Sequence, residues 1–228
     1  MIKVVIAAAG VGARLGSNIP KQFLELKGEQ ILKRTVFAFQ SMDMVDEIVV
    51  TVPKGYAQVV AGYGFDKVRH VVEGGKDRGA SVYRALKRLP QDTRTVLIHD
   101  GVRPFVTPAL IQAVADAAAT HGAAIACTPV TDTIKQVSCP QGNDPALIIK
   151  NTIDRRPLWR AQTPQGFTYN TILEAYEKAE KDGILHQATD DSMLVERLGI
   201  PVHVVPCSPQ NMKITTAEDL IIAEVFLA

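Results

Sequence analysis

The sequence predicts an α/β fold: a mostly parallel sheet with helices on both faces and a protruding β-arm. Three observations predict it. Short β-branched apolar runs alternate with helix-length amphipathic stretches along 228 residues, and such alternation builds parallel sheets covered by helices. Glycine-rich and polar pieces follow the apolar runs at 3–9, 67–72 and 95–99, where open parallel sheets bind their ligands. One stretch, 131–155, breaks the alternation and reads as the arm.

The elements follow in order. The run at 3–9 is short and β-branched, so it reads as a buried strand. Residues 31–41 carry Ile31, Leu32, Val36, Phe37 and Phe39 at helical period. A strand fits 46–53, a short helix 54–62 and a third strand 67–72. Val82, Leu86 and Leu89 share one face of a helix at 78–89. A fourth strand fits 95–99, and Pro108 stands near the start of a helix reaching about 120. A fifth strand fits 123–130. Within 131–155, the pieces TIKQV and LIIKNTI flank a turn-rich tip from Pro140 to Pro145. That pattern suits a β-hairpin too polar and too long to be a core connection. Helices at 169–182 and 190–198, a strand at 202–206 and a helix at 216–227 complete the chain. Thr215 or Thr216 is placed to cap that last helix, with Glu218 and Asp219 in its first turn. No repeat or linker divides 1–228, so one domain is the simplest expectation.

Composition excludes several classes. Lys plus Arg is 25 and Asp plus Glu is 24, giving a net charge of +1. That balance does not favour a nucleic-acid coat or a membrane surface, so anion binding must come from local clusters. Cys127, Cys139 and Cys207 are far apart and odd in number, which suits reduced thiols more than a disulfide framework or a zinc site. No apolar run is long enough to span a bilayer. The expected location is cytoplasmic, with no nucleic acid and no membrane as partner.

The first strand runs into Ala7-Ala8-Ala9-Gly10-Val11-Gly12-Ala13-Arg14-Leu15-Gly16. Glycines there let the backbone approach phosphate oxygens, and small alanines leave room for a ligand. A dinucleotide fingerprint would need glycine at 15, where Leu15 stands. That spacing argues against a nicotinamide-dependent oxidoreductase. Pro20-Lys21-Gln22-Phe23-Leu24 follows, so two cations, Arg14 and Lys21, flank the loop. Cations beside backbone N–H donors make a polyphosphate site.

These two segments together resemble the opening of the cytidylyltransferases of the non-mevalonate isoprenoid pathway. Further segments extend the resemblance in order from residue 7 to 215. They are Gly74-Gly75-x-x-Arg78-x-x-Ser81-Val82, His99-Asp100-Gly101-Val102-Arg103-Pro104, Asp132-Thr133-Ile134-Lys135 and Asp154-Arg155. Gln162-Thr163-Pro164-Gln165, Thr189-Asp190-Asp191-Ser192 and Asn211-Met212-Lys213-Ile214-Thr215 complete the set.

The resemblance implies a Rossmann-like nucleotidyltransferase fold and transfer of CMP from CTP to a small sugar-alcohol phosphate. It implies that Ala8, Ala9, Gly10, Gly12, Gly75, Ser81 and Asp100 bind CTP. Arg14, Lys21, Arg155 and Lys213 would be catalytic, and Arg103, Thr133, Thr163 and Thr189 would bind the acceptor. Mg²⁺ would sit mainly on the triphosphate, with Asp100 as its protein ligand, directly or through water. In relatives the arm reaches across a dimer, so a homodimer through 131–155 is expected, with Thr133 and Arg155 serving the neighbouring site. Ile153-Asp154-Arg155-x-x-Leu158-Trp159 looks more like the methylerythritol phosphate enzymes than the ribitol or ribulose 5-phosphate ones. Lys76 occupies a place where the family often has an acidic residue, which leaves the role of Asp77 open. A sensor that keeps the fold but not the chemistry would not need Arg14, Lys21, Asp100 and Lys213 together. The chain ends directly after its last helix, which suits a monofunctional enzyme.

Overall fold

The computed structural model describes residues 1–10, 19–138 and 147–227. Strand β1 (Ile2–Ala7) is followed by a 3-10 turn at Lys21–Phe23 and a small hairpin, β2 (Glu25–Leu26) and β3 (Glu29–Gln30). Its two turn residues, Lys27 and Gly28, both take positive φ, as a tight hairpin turn requires. Helix α1 (Ile31–Gln40) leads to β4 (Val45–Val52), α2 (Ala57–Ala61) and β5 (Val68–Glu73). Helix α3 (Arg78–Leu86) returns the chain to β6 (Thr95–Asp100), and α4 (Pro108–His121) to β7 (Ala123–Pro129). The hairpin β8 (Ile134–Val137) and β9 (Ile149–Ile153) precedes the long β10 (Trp159–Thr168). Helices α5 (Tyr169–Lys181) and α6 (Ser192–Glu196), strand β11 (His203–Pro206) and α7 (Ala217–Phe226) close the chain.

Seven strands form the central sheet in the order β11-β7-β10-β6-β1-β4-β5. All pairings are parallel except those of β10, which is antiparallel to both β6 and β7. Helices cover both faces. One buried cluster packs α3 and α5 onto the sheet through Val82, Leu86, Ile172 and Tyr176. The other packs α1 and α4 through Leu32, Val36, Phe39, Ile111 and Val114. The chain runs outward from β1 to β4 and β5, then returns to β6 on the other side of β1. Between β1 and β6 the winding direction therefore switches, and a crevice opens at the strands' carboxyl ends.

Several sequence expectations are corrected. The helix at 54–62 shrinks to α2, five residues, and that at 190–198 to α6, also five. Thr216, not Thr215, is the cap of α7, in a reciprocal capping box with Asp219. Asp219 also accepts from the Thr215 N–H and hydroxyl. Strand β10 was not expected. Its buried residues include Gln162, Thr163 and Gln165, so no apolar run marks it. A bulge between Ala161 and Gln165 lifts the intervening residues out of the ladder with β7, and bulges of this kind re-aim side chains beside sites. Strands β8 and β9 pair only with each other, as a two-stranded sheet apart from the main one. The expected tip of the arm lies outside the described residues, as do Gly12, Arg14 and Cys139.

Candidate active site

A cleft of about 540 Å³ opens at the carboxyl ends of β1 and β6. Ala7, Ala8, Ala9 and Gly10 form one wall, and Gly75, Lys76, Asp77, Arg78 and Ser81 another. Lys21, Thr51, Asp100, Lys213 and Thr215 also line it. The small residues are needed for close approach. A Cβ on Gly74 would lie 2.2 Å from Ala9 Cβ, and one on Gly101 would lie 2.6 Å from Ala8 Cβ. The backbone of the glycine-rich loop is thus pressed against both neighbouring turns.

Most polar side chains in the cleft are held by hydrogen bonds. Gln22 is buried, and its amide donates to Ala8 O at 2.5 Å and Gly10 O at 2.9 Å. Lys21, on the same 3-10 turn, donates to Ile214 O at 3.0 Å. Thr51 Oγ1 accepts from the Ala8 N–H at 3.1 Å. At the start of α3, the Asp77 carboxylate accepts from Ala80 N at 2.7 Å and caps the helix. Ser81 Oγ donates to Asp77 O at 2.7 Å and accepts from Gly75 N at 3.0 Å. Asp77, whose role the sequence left open, therefore shapes the turn that presents Gly75 and Ser81.

Asp100 is the electrostatic centre. Its side chain is 8% exposed and meets Lys213 at 2.9 Å, Arg78 at 3.3 Å and Arg103 at 3.4 Å. Burial by itself raises the pKa of its carboxyl, but Arg78, Lys213 and Arg103 outweigh burial and hold it well below the usual carboxylate range. Arg78 is shared with a second buried carboxylate, Asp191, so three cations face two carboxylates and the cluster keeps one surplus positive charge.

Behind Asp100 runs a buried chain of hydrogen bonds. The Asp100 N–H donates to Thr163 Oγ1 at 3.1 Å, and Thr163 Oγ1 lies 3.0 Å from His99 Nδ1. His99 Nε2 lies 3.1 Å from Arg103 O, a carbonyl that only accepts. Nε2 therefore carries the proton, and Nδ1 accepts from the threonine hydroxyl. Burial lowers the His99 pKa to about 3, so the ring stays neutral. It positions the 99–103 turn and takes no part in proton transfer at neutral pH.

Apart from Gly12 and Arg14, which lie outside the described residues, the sequence-derived residues fall into three groups. Ala8, Ala9, Gly10, Lys21, Gly75, Ser81, Asp100 and Lys213 line one cleft. Arg103 and Thr163 are buried just behind it: Arg103 donates to Asn211 O at 2.8 Å, and Thr163 supports Asp100. Thr133, Arg155 and Thr189 are exposed and do not line this chain's cleft. Arg155 donates to Thr131 O, and Asp154 pairs with Arg156 at 2.7 Å. Gln22, Thr51, Lys76, Arg78 and Thr215 were missed as cleft residues. Arg78 and Gln22 stood inside recognised motifs, which was the signal available for them. Lys76 and Thr215 stood inside recognised motifs too, whereas Thr51, inside β4, carried no signal.

The donor set does not suit a metal held by the protein alone. Among the described residues, no three His, Cys, Asp or Glu side chains gather to hold an ion. Both Asp100 oxygens already face cations.

The family model for 2-C-methyl-D-erythritol 4-phosphate cytidylyltransferase matches residues 2–228. The chain belongs to that family. A relative with this name from Syntrophus aciditrophicus is 44% identical over 99% of this chain and 95% of its own length. A second, from Alkaliphilus oremlandii, is 44% identical over 98% and 94%. Among solved structures, 4-diphosphocytidyl-2C-methyl-D-erythritol synthase from Anaerococcus prevotii superposes with a TM-score of 0.85 at 31% identity, covering 100% of this chain and 96% of that one. The Thermus thermophilus enzyme follows at 0.80 and 36%, covering 98% and 97%. The family chain is thus a cytidylyltransferase, a member of the nucleotidyltransferases. Its central sheet and covering helices are those of the family.

Proposed function

We propose that the cleft binds CTP and transfers CMP to 2-C-methyl-D-erythritol 4-phosphate, giving 4-diphosphocytidyl-2-C-methyl-D-erythritol and pyrophosphate. One observation carries the reading: Lys21, Arg78 and Lys213 converge on a glycine-rich cleft at the topological switch point. The base and ribose take the Gly75–Ser81 end, beside a helix start that offers N–H donors. The triphosphate takes the Ala8–Gly10 loop and Lys21, and Gly12 and Arg14, next in sequence, would serve it as the resemblance implies. Lys213 receives the acceptor phosphate, Arg103 and Thr163 hold Asp100 from behind the cleft wall, and Thr189 would touch the acceptor from outside the cleft.

The acceptor phosphate has a second pKa of about 6, so near neutral pH it is mostly a dianion. Its oxygen attacks the α-phosphorus in line. The new P–O bond forms as the α–β bridging bond breaks, and pyrophosphate leaves with that electron pair. No general base is needed, which fits a neutral His99 sealed inside the protein. The obstacle is repulsion between two anions, so the enzyme's task is positioning and charge neutralisation. Lys21 and Arg14 meet charge growing on the reacting phosphoryl group, and Lys213 draws the acceptor in. Mg²⁺ bound to the triphosphate would neutralise part of its charge, as such ions do with substrate phosphates. Asp100 serves first as the anchor of three cations, and would be the side chain to hold that ion, directly or through water.

The arm completes the reading. Val137, Leu147, Ile148 and Ile149 are 40%, 63%, 64% and 59% exposed, more apolar surface than a free hairpin favours. A homodimer through 131–155 covers it and brings Thr133 and Arg155 to the neighbouring acceptor site. Among the described residues, no helix is long and apolar enough to cross a membrane, and the reaction draws on cytoplasmic nucleotide.

The test is pyrophosphate release from CTP with methylerythritol 4-phosphate, set against ribitol 5-phosphate. Turnover with the first and at least tenfold less with the second is expected. Equal or better turnover with the pentitol would move the acceptor assignment.

A further inference from the structure

Arg78 is the first residue of α3 and a wall of the cleft, yet the mechanism above gives it no step of its own. Its guanidinium forks onto Asp191, with Nη1 to Oδ1 at 2.9 Å and Nη2 to Oδ2 at 2.6 Å. A third N–H, on Nε, reaches Asp100 Oδ1 at 3.3 Å. Asp191 is wholly buried, and Arg78 is its only cationic partner among the described residues. The Tyr176 hydroxyl donates to Asp191 Oδ1 at 2.5 Å. The backbone N–H groups of Asp191 and Ser192 both donate to Gln165 Oε1, each at 3.0 Å. Gln165 Nε2 donates to Asp190 Oδ2 at 2.9 Å.

A carboxylate sealed from water with one cation is costly to keep, and a fork of this kind specifies orientation more than it adds stability. Here it fixes a guanidinium between two carboxylates that would otherwise repel each other. One of them, Asp100, anchors Lys213. The other lies in the 189–192 turn that carries Thr189. Arg78 itself belongs to the Gly75–Ser81 turn, where the nucleotide end is placed. The three segments meet at this one side chain and come from distant parts of the sequence.

We propose that Arg78 is a positioning residue that couples the two halves of the cleft: nucleotide bound at the α3 turn fixes Arg78, and through its Asp191 fork and Asp100 contact orders the acceptor side. The inference rests on the reading of the cleft as the CTP site. Arg78 cannot be replaced by lysine here, because one ammonium does not span both oxygens of Asp191 and Asp100 in plane.

The test measures binding of methylerythritol 4-phosphate by calorimetry, with and without the unreactive α,β-methylene analogue of CTP. In the wild type the analogue tightens acceptor binding about fivefold or more, the lower range of ordinary coupling. In Asp191→Asn, which keeps the shape but loses the charge of the fork, that factor falls below about twofold. The analogue's own affinity there changes less than about threefold. Tyr176→Phe removes only one hydroxyl and shows a partial loss; it replaces Asp191→Asn if that variant does not fold. Full coupling in the folded variant overturns the proposal, and so does a wild type without coupling. Weaker binding of each ligand with the coupling factor kept also overturns it, since that marks a local structural role. A wild type that binds no nucleotide at all sinks the reading of the cleft, a separate outcome.

Discussion

The cleft and the β8–β9 hairpin hold their charged side chains in opposite ways. In the cleft, Asp100 touches three cations drawn from α3, the 101–103 turn and the segment before α7. Lys21 is tied to a carbonyl 193 positions along the chain. On the hairpin, Lys135 bonds its cross-strand neighbour Thr152, Arg156 bonds Asp154 two residues away, and all of these are exposed. The cleft's cations are therefore held largely in place by contacts between distant segments, which limits the reorganisation left for the substrates to drive. The hairpin's charges are ordered only by local contacts, so a fixed geometry there requires a second surface.

Four outcomes break or sharpen that contrast. The largest belongs to Arg78→Ala, which strands Asp191 without its counterion. Stability should fall by about 3–5 kcal/mol, as for other broken buried pairs, read from urea unfolding. A loss under about 1 kcal/mol would mean that the cleft is no more interlocked than the hairpin.

Next comes pH. His99 has its pKa lowered to about 3, whereas an unfolded histidine titrates near 6.5. Below about 6.5 the unfolded chain takes up a proton that the folded one refuses, so stability falls as pH drops toward about 3. The loss attributable to His99 should reach roughly 4 kcal/mol at the acid end. Unfolding curves of His99→Gln should show a shallower pH slope across that window; an unchanged slope would place the titration elsewhere. Asp100, held low by its cations, works in the same direction at still lower pH.

Third, Lys21→Ala should lower kcat about a hundredfold or more, as loss of a transition-state donor does, in a pyrophosphate-release assay. Near-normal turnover would remove Lys21 from the reaction. Smallest in stability is Arg155→Ala on the exposed segment. Unfolding should change by no more than about 0.5 kcal/mol, while activity falls at least tenfold. Mixing Arg155→Ala subunits with Lys21→Ala subunits should restore part of it. Heterodimers that form yet stay inactive would show that Arg155 does not act on the neighbouring site.

Much of the fold was legible because it rests on local pattern. The strand at β1, the amphipathic faces of α1 and α3 and the alternation between them follow from periodicity and apolar runs. Strand β10 was not legible, because its buried stretch holds glutamines and a threonine whose partners lie on other elements. Gln162 meets Asn211, Thr163 meets His99, and Gln165 meets the 190–192 turn. Such residues read as a polar loop until those partners are known. The site divides along the same line. Motif residues on the first strand and after β6 were found from glycine spacing and charge, but the dependence of Asp100 on Arg78 and of Arg78 on Asp191 has no local trace.

By itself, the sequence determined the alternating architecture, the glycine-rich turn at the end of β1 and the cations beside it. Hydrophobic period and backbone freedom act over a few residues, and a linear reading captures them. Only the tertiary structure decided which charges meet. Residues 78, 100, 191 and 213 converge because the sheet switches direction between β1 and β6 and brings distant chain ends to one crevice. Coulomb energy depends on separation in space and on burial, and neither is written in the spacing of residues along the chain.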